Sequence, residues 1–228
     1  MQRLSSKVRA VIFDLDGTLY DQRKLRGYML VEMLRFIATH PSGLKELKIL
    51  WDFRRAREKN AFSVTDNIGV RQFEWGAEIS SVSVERVRQV IQDWMFTKPI
   101  RHLNACSYIG ARELFSFLRQ KEISLGVFSD YPAMDKLAAL GLKPDVVVSA
   151  TDSDVDRLKP NPEGLFLVAA KLKKRVEECL YIGDRDDKDG ECARRAGMPY
   201  VILNRTKKNG ANGFNTLDEI AGWFERCN

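Results

Sequence analysis

Two acids two residues apart, Asp14 and Asp16, close the apolar run Val11-Ile12-Phe13 and lead into Gly17-Thr18. In an extended chain residues i and i+2 project to one side, so the two carboxylates converge while Leu15 faces the opposite way. Gly17 permits a sharp exit and lets the backbone approach a ligand closely. Similar groups recur later: Ser129-Asp130, Lys159 before Pro160, and Gly183-Asp184 with Asp186, Asp187 and Asp189 each follow a short apolar run directly or lie in the loop beyond it. A serine hydroxyl and exposed backbone N–H groups suit a phosphate oxygen. An ammonium suits the space between a carboxylate and a phosphate, and clustered carboxylates supply the hard oxygens that Mg²⁺ takes. Singly each group is ordinary, because Asp-Gly is a common turn and acidic loops are common surface. Their joint order after buried runs is what a surface explanation does not supply, and the chemistry is that of a phosphate held beside a divalent cation.

The runs that must carry these groups are Val11 to Asp14, Leu125 to Ser129, Val146 to Ser149, Leu180 to Gly183 and Val201 to Leu203. Each is too short for a helix and apolar on both faces, the pattern of a buried parallel strand. Helical patterns over Ala111 to Gln120, Met134 to Leu140, Glu163 to Lys173 and Glu191 to Ala196 alternate with the later runs. This alternation predicts an α/β fold with a parallel sheet, whose ligands bind at the carboxyl ends of the strands. Residues 22–99 break the rhythm, with apolar positions three and four apart in Met29 to Ile37, Leu44 to Phe53 and Val84 to Phe96. They predict an inserted helical subdomain punctuated by Gly27, Pro41-Ser42-Gly43 and Lys98-Pro99, with Ser42 and Ser83 as helix caps. The expected organisation is a core of residues 1–21 and 100–228 interrupted by helices over 22–99.

At 228 residues and 44% hydrophobic content the chain is long enough to bury a sizeable core without disulfides or a structural metal. A formal charge of +6, spread along the chain, suits an anionic ligand but gives no reason to expect nucleic acid. The cysteines, Cys106, Cys179, Cys192 and Cys227, lie far apart, nothing at the N-terminus reads as a secretory signal, and no apolar run approaches the length of a membrane span. A soluble, cytoplasmic protein is expected, monomeric or homodimeric.

The motifs Asp14-Leu15-Asp16-Gly17-Thr18, Ser129, Lys159 and Gly183-Asp184 with Asp189, in this order, resemble those of the haloacid dehalogenase superfamily, and the match covers the whole core. The resemblance implies a Rossmann-like parallel sheet and a covalent aspartyl-phosphate mechanism. It implies Mg²⁺ held by Asp14, the main-chain carbonyl of Asp16 and Asp184, with Asp189 supporting the metal through a spacing of five from Asp184; Asp187 is the alternative. Asp14 is the expected nucleophile, Asp16 the acid and then base, and Lys159 the charge neutraliser; Gly17, Ser129 and Asp130 join Asp16 and Lys159 around the phosphate. The dehalogenase branch lacks the second Asp, so Asp16 points to phosphoryl transfer from a small phosphorylated metabolite. A sugar phosphomutase, a 2-haloacid dehalogenase and a non-catalytic binding protein are the alternatives.

From Asp16 to Ser129 there are 113 residues, far more than one crossover connection of about thirty needs, whereas Ser129 to Lys159 spans only 30. The insert therefore resembles the helical cap that follows the first motif in this superfamily. Arg26, Arg54, Arg57, Arg71, Asn67 and Gln72 are its candidates for contacting a leaving group, although each also reads as solvated surface, and Trp51, Phe53, Trp75 and Trp94 read as its core. Asp152, Asp154, Asp156 and Glu163 mimic a calcium loop, but Arg157 stands where that loop needs Gly. His40 and His102, isolated from other ligands, read as ordinary surface residues.

Overall fold

The computed structural model describes residues 8–61, 66–204 and 214–227; residues 1–7, where the expected core begins, and the Cys227 side chain lie outside that set. The apolar runs form β1 (Ala10–Phe13), β2 (Ser124–Ser129), β3 (Val146–Ser149), β4 (Cys179–Gly183) and β5 (Tyr200–Ile202). All pair in parallel, in the order β3-β2-β1-β4-β5. This is the expected α/β sheet. β1 lies at its centre, with every residue buried, because successive side chains serve opposite faces. Val11 and Phe13 pack into one layer with Leu114, Phe115 and Phe224, while Ala10 and Ile12 pack into the other with Phe128, Leu165 and Tyr181.

Register decides what the strand ends can do together. Phe13 stands opposite Val127 on one side and Ile182 on the other. Asp14, Ser129 and Asp184, each just beyond or at the end of its strand, therefore reach the same edge.

After β1 come α1 (Gln22–Thr39), α2 (Gly43–Asn60), α3 (Ile68–Ser80), α4 (Val84–Ile91) and α5 (Ile100–Cys106), ahead of the helix that leads into β2. Asp21 opens α1 by accepting the N–H groups of Arg23 and Lys24, and Ser83 opens α4 by accepting that of Arg86. Ser42 makes no such cap; its hydroxyl faces Glu46 at 3.5 Å instead. Gly27 lies inside α1 rather than between helices, where nothing within 4 Å crowds it. The period expected over Val84 to Phe96 is realised as α4 followed by a π turn, Gln92–Thr97, which keeps Trp94 buried. Phe53, Phe73, Val87, Ile91 and Trp94 give these helices a core of their own, whereas Leu103 and Cys106 of α5 join the layer beneath the sheet. The outgoing and returning chains are tied together where Asp21 N–H donates to Cys106 at 2.8 Å and Tyr108 N–H to Leu19 at 3.3 Å.

The remaining helices are α6 (Ala111–Gln120), α7 (Met134–Leu140), α8 (Glu163–Lys171), α9 (Glu191–Ala196) and α10 (Leu217–Cys227). Among the described residues no helix is long and apolar enough to cross a membrane.

α8 lies so close to β2 that a Cβ at Gly164 would come within 2.1 Å of the fully buried Phe128 ring. Gly164→Ala is expected to cost about 1–3 kcal/mol despite alanine's better helix propensity, because a packed ring must shift to admit the methyl. Thermal unfolding should show a midpoint lower by several degrees.

Candidate active site

β1 delivers Asp14 to the sheet edge, and its N–H donates to Ile182 at 2.8 Å, which fixes the carboxylate's origin between two strands. One carboxylate oxygen accepts from Lys159 Nζ at 2.6 Å, the other from the Thr18 hydroxyl at 2.9 Å. Lys159 is 2% exposed, and its ammonium also donates to Asp189 Oδ1 at 2.9 Å. Asp189 is held in turn by the Tyr181 hydroxyl at 2.8 Å and by the N–H groups of Asp184 and Arg185. Asp184 packs against Gly17, whose φ of +102° suits glycine and where any Cβ would come within 2.3 Å of the Asp184 carboxylate.

Carboxylate oxygens of Asp14, Asp184 and Asp189 lie within 4.8 Å of one another. Burial pushes Asp14 well above the ordinary carboxylate range, and Asp189, Asp184 and Asp16 add to what Lys159 offsets. Asp184 is pushed up to about 6, by burial first and by Asp189 second. For Lys159 burial favours loss of the proton, but Asp14 and Asp189 outweigh it and hold the ammonium well above its usual range. Negative charge thus exceeds what Lys159 offsets. An oxygen-only donor set with surplus charge fits a hard divalent cation such as Mg²⁺. Asp187 points outward and pairs with Arg185 at 2.5 Å, away from this cluster.

Asp16 stands apart from the cluster. It accepts from Lys136 Nζ of α7 at 2.6 Å and from the Tyr20 hydroxyl. Burial would raise its pKa, yet Lys136 and Tyr20 outweigh burial and hold it below the ordinary range. Ser129 is fully buried, and its hydroxyl oxygen accepts the N–H of Tyr131 at 3.2 Å. Asp130 turns its carboxylate to the backbone N–H of Lys159 at 3.1 Å, so that side chain orders the lysine's loop.

Sequence reasoning did not single out Tyr20, Lys136 and Tyr181. Tyr20 carries a faint signal, one helical turn beyond Asp16, but Lys136 sits in an unremarkable helix and Tyr181 reads only as strand.

The inserted helices roof this floor and enclose a cavity of about 490 Å³ with it. Arg57 binds Gln72, donates to the Asp130 carbonyl at 2.7 Å and stacks over Tyr131 at 4.2 Å. Glu58 pairs with Arg185 at 3.2 Å and with Lys188 at 3.1 Å, tying α2 to the loop after β4. Of the expected leaving-group contacts, Arg26, Arg54 and Arg57 line the cavity, whereas Gln72 supports Arg57 and Arg71 pairs with Glu74. Asn67 starts α3, where its N–H and that of Ile68 donate to Asp156, a carboxylate of the calcium-loop mimic. Phe53 and Trp94 are core as expected, Trp75 is half-buried, but Trp51 is 69% exposed at the cavity's mouth.

A parallel sheet with a helix layer on each face and clustered carboxylates at its carboxyl edge is a ligand site of the open α/β class. The model of the haloacid dehalogenase-like hydrolases matches residues 8–197, and the chain belongs to that family. It is 27% identical over 210 residues to a glyceraldehyde 3-phosphate phosphatase of Methanopyrus kandleri, covering 88% of this chain and 85% of that one. To a phosphoglycolate phosphatase of Salmonella typhimurium it is 26% identical over 210 residues, covering 86% and 81%. The fold is also that of a 2-haloacid dehalogenase structure from Pseudomonas syringae, at 18% identity with a TM-score of 0.67, covering 96% of this chain and 99% of that one.

An acid with a pKa raised from 3.8 to about 6 binds its proton more readily when folded, so the metal-free chain loses stability as pH rises through that window. Asp184→Asn removes the loss. In chelator it should be more stable than the parent by about 1–3 kcal/mol at neutral pH, and little different below about pH 4, in urea unfolding. A stability difference independent of pH would refute the assignment.

Proposed function

We propose that the protein is a Mg²⁺-dependent phosphatase that hydrolyses a phosphate monoester through an aspartyl-phosphate on Asp14. The observation that carries this reading is the meeting of Asp14, Asp184 and Asp189 with the buried Lys159 ammonium at one sheet edge, with Asp16 on separate bonds beside them. The phosphatases among its relatives, named for glyceraldehyde 3-phosphate and phosphoglycolate, support a substrate that is a phosphorylated metabolite.

Mg²⁺, held by Asp14, the main-chain carbonyl of Asp16 and Asp184 with Asp189 in support, would supply positive charge between the carboxylates and the phosphate. Asp14 attacks phosphorus in line with the leaving oxygen, its repulsion from the dianion lowered by Lys159. Thr18 and Lys159 orient the attacking carboxylate. On this reading Ser129 and the backbone N–H groups of Gly17 and Asp130 hold the phosphoryl oxygens, where charge spreads in the transition state. Asp16 gives its proton to the departing alkoxide, then, ionised, takes one from the water that cleaves the acyl-phosphate. The Lys136 and Tyr20 bonds favour its ionised form, so the base step is the one these neighbours prepare. The roof built by α1 and α2 acts as a cap that excludes bulk water and contacts the leaving group.

Release of phosphate from p-nitrophenyl phosphate with Mg²⁺ should be readily measured, and Asp14→Asn should lower it about a thousandfold or more. Wild-type-like activity in Asp14→Asn would sink the mechanism. Lys136→Met takes away the cation that holds Asp16 ionised, so the Asp16 pKa rises. The acid limb of kcat against pH should move upward, making the loss of rate larger at pH 5 than at pH 7.5.

A further inference from the structure

We propose that the leaving group this site accepts is a bulky, mostly apolar alcohol, aromatic or branched, rather than a compact polyol. This rests on the phosphatase reading above and names the substrate class for it. A cavity of about 490 Å³ is within the size range that encloses a drug-sized molecule, well beyond a phosphoryl group on a short chain. Its floor is charged, but the roof over it is built from Met29, Leu30 and Met33 of α1 and Leu47, Leu50 and Trp51 of α2. These positions recur one helical turn apart and form an apolar stretch of each helix's cavity face, which continues into Gln22 and Arg26 on α1 and into Arg54, Arg57 and Glu58 on α2.

Three of these side chains remain open to solvent: Leu30 is 56% exposed, Leu47 42% and Trp51 69%. Single exposed apolar residues are ordinary, but these surround the mouth of one cavity and continue its wall, as in a binding groove. The polar groups of the same wall are already engaged. Arg26 donates to Gln22, Glu58 is paired with Arg185 and Lys188, and Arg57 is bonded to Gln72 and Asp130. Arg54 alone among these arginines has no hydrogen-bond or ion-pair partner among the described residues, and it lies near Tyr20 and Tyr131. Away from the phosphate, then, the cavity offers contact area and few free hydrogen-bonding groups. A polyol would leave its hydroxyls desolvated without partners there, whereas a ring or branched chain would cover Trp51 and Leu30.

The test compares 2-phenylethyl phosphate with glycerol 3-phosphate, two primary alkyl esters of similar intrinsic reactivity, in the Mg²⁺-loaded protein and in Trp51→Ala. Trp51 is exposed, so its removal leaves the fold intact. The phenylethyl ester should show kcat/KM at least tenfold higher, and Trp51→Ala should cut that ratio at least fivefold, chiefly through KM. A ratio near one, or one untouched by Trp51→Ala, overturns the proposal while phosphatase activity stands. If neither ester nor p-nitrophenyl phosphate is turned over, the phosphatase reading itself fails. Calorimetric binding of the two esters then decides the preference, and equal affinities overturn it. A homodimer that Trp51→Ala splits, with the ester ratio unchanged, makes the patch an interface between copies and likewise overturns the proposal.

Discussion

A lysine ammonium with almost no access to water organises the site. Lys159 keeps its charge because Asp14 and Asp189 stand within 2.9 Å of it, and neither carboxylate would be tolerable so deep without the lysine. The partners come from different parts of the sheet, so the pairs draw the loops after β1, β3 and β4 together. Around them Thr18, Tyr181 and two backbone N–H groups occupy further carboxylate lone pairs. Asp184 joins the cluster without a lysine of its own, and that is where the surplus of negative charge arises.

The inserted helices answer a different need. A sheet edge is open to water, and a low dielectric around reacting charges requires a roof. The chain leaves the core at Asp21 and returns at Cys106 through paired backbone segments, so the roof is attached by a narrow neck. Opposite the neck, Glu58 meets Arg185 and Lys188, and Arg57 meets the Asp130 carbonyl. The Glu58 pairs are partly exposed and of modest strength, whereas Arg57 is buried. Arg185 thereby gains a partner in α2.

Much of the floor was legible in the sequence. Short apolar runs ending in Asp14, Ser129 and Asp184 specify buried strands with polar ends, because side chains alternate and only a two-sided sheet hides both faces. The helices around the sheet follow from their period. Less legible were helix details that depend on neighbours: Gly27 is carried within α1 because the helix continues on both sides, and the Val84–Phe96 period bends into a π turn to bury Trp94. Trp51 reads as core by type and spacing, yet faces the cavity mouth because the core of these helices is completed by Phe53, Phe73 and Trp94.

Residue order by itself determined the strands, their polar ends and the interruption between β1 and β2, since steric preference and hydrophobic period act over a few neighbouring residues. Only the tertiary structure decided that Lys136 grips Asp16 across 120 positions, that Lys159 bridges two carboxylates 145 and 30 positions away, and that α1 and α2 close an apolar roof over charged ground. Contacts of that span depend on strand register and on where an insert folds back, and no local pattern encodes either.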